Sequence, residues 1–174
     1  MTNIADGFEQ IQEIMVQCVK KEMENENGLL SDVETFIPLY YDEHGVEEPC
    51  IWMFQHPTTA SRQADISHTM ELTTPFEFDC VVYESEFEES ISSSQNLTNR
   101  VILSILRNYL QVQQEITKGP RIIRNITLET YYPAGEVNIQ GKSDKVPATG
   151  VILNVNHIVN WKLCCKNLGD QNNG

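Results

Sequence analysis

A chain of 174 residues with 40% apolar and 21% charged side chains is long enough for one globular domain and too apolar for wholesale disorder. Its net charge of −13 at pH 7 excludes a protein that wraps duplex nucleic acid, because each phosphate contact needs a Lys or Arg. The charge is also divided: residues 1–90 hold twenty acidic and three basic residues, a net −17, whereas residues 91–174 hold five acidic and nine basic, a net +4.

Ile4, Phe8, Ile11, Met15, Cys18 and Glu22 step by three or four, with Ile14 and Val19 widening the stripe, so an amphipathic helix is expected over 4–24. Asn25-Glu26-Asn27-Gly28 ends it, with Gly28 suited to a left-handed C-terminal position. Residues 33–41 read as a strand, and Pro38 marks it as an edge or a bulge. After the turn material Asp42-Glu43-His44-Gly45, Cys50-Ile51-Trp52-Met53-Phe54 is the returning strand, and the two make a hairpin. Residues 55–67 are polar, contain Pro57 and Arg62, and form a first long loop.

From 68 to 83 apolar and polar residues alternate. Met70, Leu72, Phe76, Phe78, Cys80 and Val82 share one parity, while Thr69, Glu71, Thr73, Glu77 and Asp79 share the other. A strand with one buried and one wet face has this pattern. At about 3.3 Å per residue it would exceed ~50 Å, so Pro75 is expected to bend it into segments 70–74 and 76–83, the first projecting as an arm. A helix follows over 86–113, carried by Ile91, Leu97, Val101, Ile105, Leu106 and Leu110, with Glu84, Glu86, Glu88 and Glu89 crowding its start as the helix dipole prefers. Ile122, Ile126, Leu128 and Tyr132 mark another strand, and 133–150 is a second long loop with Lys142 and Lys145. Val151, Leu153, Val155, Val159, Trp161 and Leu163 alternate with Asn and Lys to make the last strand. The expected fold is α+β, a mostly antiparallel sheet with two helices packed on one face, in the order α-β-β-β-α-β-β. Residues 1–166 form the single domain and 167–174 a flexible tail.

Catalytic and metal-binding patterns do not emerge. His44, His56, His68 and His157 have no zinc spacing, and His157 falls on the apolar parity of the last strand, as a core histidine does. Cys18, Cys50 and Cys80 lie among apolar residues, where a thiol packs rather than reacts, and no phosphate-binding glycine loop occurs. Ser92-Ser93-Ser94 reads as a helix-surface run, and Trp52, Phe54, Phe76, Phe78 and Trp161 as a shared core. Glu84, Glu86, Glu88 and Glu89 read as a solvated helix start, with an acidic metal site as the enzymatic alternative. No cofactor is called for. The first thirteen residues lack the basic residues of a signal peptide, and no apolar run approaches the roughly 20 residues of a membrane span, so a soluble protein made inside a cell is expected, with no membrane partner.

The order of elements resembles the tail-terminator (tail-completion) proteins of tailed viruses. The likeness is carried by Met70-Glu71-Leu72 through Val81-Val82-Tyr83, by Val101-Ile102-Leu103-Ser104-Ile105-Leu106, and by Thr149-Gly150-Val151-Ile152-Leu153-Asn154-Val155. The resemblance covers most of the chain in order and pattern, and the Asn-rich ending departs from it. It implies a non-enzymatic structural protein of the virion tail and neck, made in the host cytoplasm, that forms a homo-oligomeric ring, usually a hexamer. Such a ring caps the tail tube and joins it to a neck or connector protein, and viral DNA passes through its lumen without specific binding. Six copies at −13 each carry −78, so an acidic lumen would let phosphate slide. The divided charge suits head-to-tail contacts, for which Lys142, Lys145, Arg62, Glu84, Glu86, Glu88 and Glu89 are the candidate residues. A sister neck protein, or a cellular α+β ligand-binding or regulatory module, fits the same physical description.

Overall fold

The computed structural model describes residues 4–38, 47–62, 69–118, 121–137 and 145–160. Helix α1 (Ile4–Met23) leads to strands β1 (Thr35–Pro38), β2 (Cys50–Gln55), β3 (Thr59–Arg62) and β4 (Thr69–Val81). Helix α2 (Phe87–Thr117) follows, then β5 (Ile123–Val137) and β6 (Val146–Asn160). The fold is α+β as expected, with β3 added to the expected order. The last-strand residues Trp161 and Leu163 and the tail 167–174 lie outside the described residues.

The sheet runs β1-β2-β4-β6-β5, with β3 also on β4. All of its pairings are antiparallel except β1 with β2. The expected hairpin is therefore corrected: Thr35–Pro38 runs beside Cys50–Met53 in the same direction. Parallel register sets the start of β2 beside the start of β1, Cys50 against Thr35, which a hairpin does not do. The Glu34 and Thr35 N–H groups both donate to Pro49 O, at 2.9 and 3.3 Å, and fix that entry point.

Strand β4 is not bent into two pieces, and its first half is not an arm. It runs unbroken from Thr69 to Val81, paired with β6 along nearly its whole length and with β3 and β2 on its other side. In antiparallel pairing a residue's N–H and C=O point to the same neighbour. Pro75 O accepts from His56 N at 3.0 Å, so its missing donor faces the interruption between β2 and β3. Proline is tolerated because its neighbour is broken at that point. The two expected loops shrink accordingly: β3 occupies part of the first, and β5 and β6 extend into the second as a ribbon.

Both helices cover one face of the sheet. Ile11, Ile14, Met15, Cys18 and Val19 of α1 and Leu97, Val101 and Ile105 of α2 pack with Ile51, Met53, Phe76, Phe78, Cys80, Val151, Leu153 and Val155. The opposite face carries a smaller buried cluster of Ile37, Cys50, Trp52, Val81, Val146 and Ala148, with Phe54 against it. Trp52 and Phe54 thus belong to a separate core from Phe76 and Phe78, because neighbours along β2 point to opposite sides.

Gly28 has a different role from the one expected. Helix α1 ends at Met23, and a Cβ at Gly28 would lie 1.9 Å from Glu22 O, so the position demands close backbone approach rather than a left-handed cap. Glu22, 4% exposed, organises the same turn. Its carboxylate accepts from Asn108 Nδ2 at 2.7 Å and from Leu29 N at 2.8 Å. Burial alone would raise its pKa, but these bonds, with Arg107 and Lys21 nearby, bring it below the ordinary value. Arg100 completes the seam, donating to Leu29 O and pairing with Asp32, whose pKa it lowers.

Candidate functional site: the two ends of the long helix

Helix α2 spans 31 residues, roughly 45 Å at 1.5 Å per residue, and separates two unlike surfaces. Its start is held by serines. The N-cap residue Glu86 makes no side-chain capping bond; instead the N–H groups of Glu84 and Val82 donate to Ser90 Oγ and Ser94 Oγ at 2.8 and 2.9 Å. Thr98 continues the row, donating to Ser94 O at 3.0 Å and to Thr149 O at 3.3 Å. Ser94 is therefore buried rather than on the surface, and the buried residues of α2 form a stripe, Ser90, Ser94, Leu97, Thr98, Val101, Ser104, Ile105, Asn108 and Val112, with Gln113 at its end.

That stripe turns other apolar residues outward. Leu103, Leu106 and Leu110 are 54%, 45% and 47% exposed, so Leu106 and Leu110, expected in the buried stripe, lie on the opposite side of the helix. Phe87, in the first turn, is 54% exposed. The glutamates Glu86, Glu88 and Glu89 around it are exposed, and Glu84 accepts from Ser93 Oγ at 3.1 Å. Register brings more acids to this end: Thr35, Cys50 and Val81 stand side by side, so Glu34 and Glu47 lie near the β4–α2 corner. Glu47 N donates to Thr35 Oγ1 at 2.9 Å.

Basic residues follow the other end, although the last turn itself holds Glu115 and no Lys or Arg. Lys118 closes α2 in the left-handed region (φ 47°), its N–H donating to Gln114 O at 3.2 Å. Arg121 donates through Nε to Ile123 O at 2.7 Å and through Nη2 to Arg124 O at 2.8 Å, with its guanidinium 6.0 Å from the Tyr109 ring centre. Beside it, Leu110, Gln113, Gln114 and Arg121 line a groove of about 270 Å³. Arg107 is 64% exposed and approaches Glu22 at 3.8 Å.

The remaining candidates fall elsewhere. Lys145 pairs with Glu136 at 3.2 Å across the β5–β6 ribbon. Arg62 is on β3 opposite Glu71, its side chain not among those described, and Lys142 lies outside the described residues. Residue patterns therefore identified the acidic end but missed Phe87 and the outward leucines. A helical wheel over all 31 residues, with Ser and Thr counted as possible core, would have separated the two stripes.

Polar groups that sequence patterns left unconnected meet on the sheet. His56 Nε2 is 2.6 Å from Glu77 Oε2 on the face away from the helices. On the same face burial, reinforced by Glu77 and partly offset by His56, raises the Asp79 pKa to about 6. A side chain at Gly150 would strike Asp79 Oδ1, so glycine lets that carboxylate lie flat on β6. On the helix side His157 is a core residue, as its parity demanded. Its Nε2 lies 2.9 Å from Thr74 Oγ1, which lies 2.7 Å from Thr58 Oγ1, and Phe8 meets its ring edge-on at 6.1 Å. Burial lowers its pKa to about 4.

Among the described residues, no group of three or more His, Cys, Asp and Glu side chains is arranged to hold a metal, Glu84 to Glu89 included, and no helix is long and apolar enough to cross a membrane. No protein-family model matches the chain, and no curated protein matches it in sequence.

Proposed function

We propose that this chain is a structural, ring-forming subunit of a virus tail, capping the tail tube and joining it to the neck, with an acidic lumen that viral DNA crosses without specific binding. The observation that carries the reading is the charge polarity along α2: glutamates gather at its start, and Lys118, Arg121 and Arg124 follow its end. A subunit with unlike ends packs head to tail, and a closed series of such contacts is a ring. The two-layer architecture also suits the role, since strands as long as β4, β5 and β6 give an extended sheet that can be repeated around an axis. In this reading the protein resides in the virion tail or neck, and a sister neck position would use the same polarity.

Mass measurement of the purified chain, followed by imaging with isolated tail tube, tests it. A closed oligomer that decorates one end of the tube is expected. A strict monomer that ignores tail tube overturns the reading. A ligand-binding module is the second reading, favoured by the open depression of about 570 Å³ between the helices, where Glu13, Gln17, Lys21 and Glu115 converge. Saturable binding of a small polar compound there, lost in Lys21→Ala, would support that reading instead.

A further inference from the structure

We infer that the Phe87 corner of one copy seats on the outward leucine face of α2 in a second copy, a head-to-tail contact that builds on the ring reading above. The two surfaces lie on one helix and match in both chemistry and charge. The corner offers the exposed Phe87 ring, with Tyr83 about half exposed four residues before it, among the glutamates Glu84, Glu86, Glu88 and Glu89. It is preorganised, because Ser90 and Ser94 tie the preceding backbone to the helix and leave little to be ordered on binding. The face offers Leu103, Leu106 and Leu110 in one row, ending at the groove beside Arg121. That groove, about 270 Å³, is open to an incoming side chain. Arg121 lines it and Lys118 closes the helix just beyond, while Arg107, three residues before Leu110, is turned to Glu22 at 3.8 Å and Glu115 to Lys21 at 3.6 Å.

Charge selects the pairing. Corner against corner would bring glutamates together, and leucine face against leucine face would bring arginines together, so twofold contacts are disfavoured at both surfaces. Corner against face sets acids on bases around an apolar centre, the arrangement of a buried anchor with a charged rim. Each copy then gives one surface and receives one, and the contact propagates until it closes.

The test uses the full chain and two variants, Phe87→Ser, which removes the anchor, and Leu110→Glu, which spoils the seat. Both positions are exposed, so unfolding curves should match the parent. Sedimentation should show an oligomer for the parent and at least a tenfold weaker association for each variant alone. An equimolar mixture of the two should recover a one-to-one dimer that grows no further, because one intact corner and one intact seat remain. If either variant proves unfolded, Glu88→Arg and Lys118→Glu, each weakening assembly alone and recovering it when combined in one chain, read the same contact. Parent and variants forming identical oligomers would overturn this contact and leave the ring reading standing. A parent that stays monomeric at every concentration would overturn both.

Discussion

The two faces of the sheet are built from the same strands and behave as different materials. The face under the helices is filled by Phe76, Phe78, Val151, Leu153 and Val155, and Glu22, Asn108 and His157 on that side have partners, whereas the buried Thr149 hydroxyl has none among the described residues. The other face has a small apolar cluster around Trp52, then a polar field with His56, Glu77 and Asp79. Alternation along one strand suffices to make both. The difference teaches that the helix side holds the fold together, while the open side carries groups whose ionisation can change without dismantling it.

The largest test of that contrast is Phe78→Ala. Truncating a fully buried aromatic should cost about 3–5 kcal/mol, measured by urea unfolding, and a loss under ~1 kcal/mol would place the foundation elsewhere. Gly28→Ala should follow, at about 1–3 kcal/mol, because its methyl meets the Glu22 carbonyl, which cannot move without shifting the end of α1. Glu22→Ala should cost a similar ~1–3 kcal/mol by stranding Asn108 and the Leu29 N–H, and a neutral result would show that water replaces the carboxylate.

Smaller effects appear as pH dependence, with opposite sign on the two faces. His157 has a folded pKa near 4, below the ordinary 6.5, so the unfolded chain binds its proton more readily, and stability falls as pH drops from about 6.5 toward 4. Asp79 has a folded pKa near 6, above the ordinary 3.8, so the folded chain keeps its proton, and stability falls as pH rises from about 4 to 6. Asp79→Asn should remove the second slope and leave the first. Denaturation midpoints across that range would reveal it, and an unchanged profile would mean that the carboxylate is hydrated. The smallest effect is expected at Leu103→Ser, within about ±0.5 kcal/mol for the lone chain, since the side chain is already half in water.

Much of this was legible from residue order. Leu72, Phe76, Phe78 and Cys80 are buried as their parity required, and α1 buries the stripe that its spacing defined. Strand direction was not legible: β1 has the same composition whether it runs with β2 or against it, and the connection alone decides. Strand β3 was hidden because Thr59-Ala60-Ser61-Arg62 is short and polar, and among the described residues it pairs only with β4. The site was half legible. Charges show in a sequence without regard to packing, so the acidic corner was visible, whereas the outward leucines were concealed by Ser90, Ser94, Thr98 and Ser104, small polar residues that occupy the buried stripe where leucines were expected.

Three thiols sit where this architecture can be watched coming apart. Cys18 on α1 and Cys80 on β4 are buried beneath the helices, and Cys50 on β2 is buried in the opposite cluster. Burial raises all three above their ordinary ionisation range, Cys18 and Cys80 to about 12, so at neutral pH they are scarcely nucleophilic while the chain is folded. An alkylating reagent would therefore keep time on opening, and peptide masses would tell whether the two sides of the sheet let go together or one before the other.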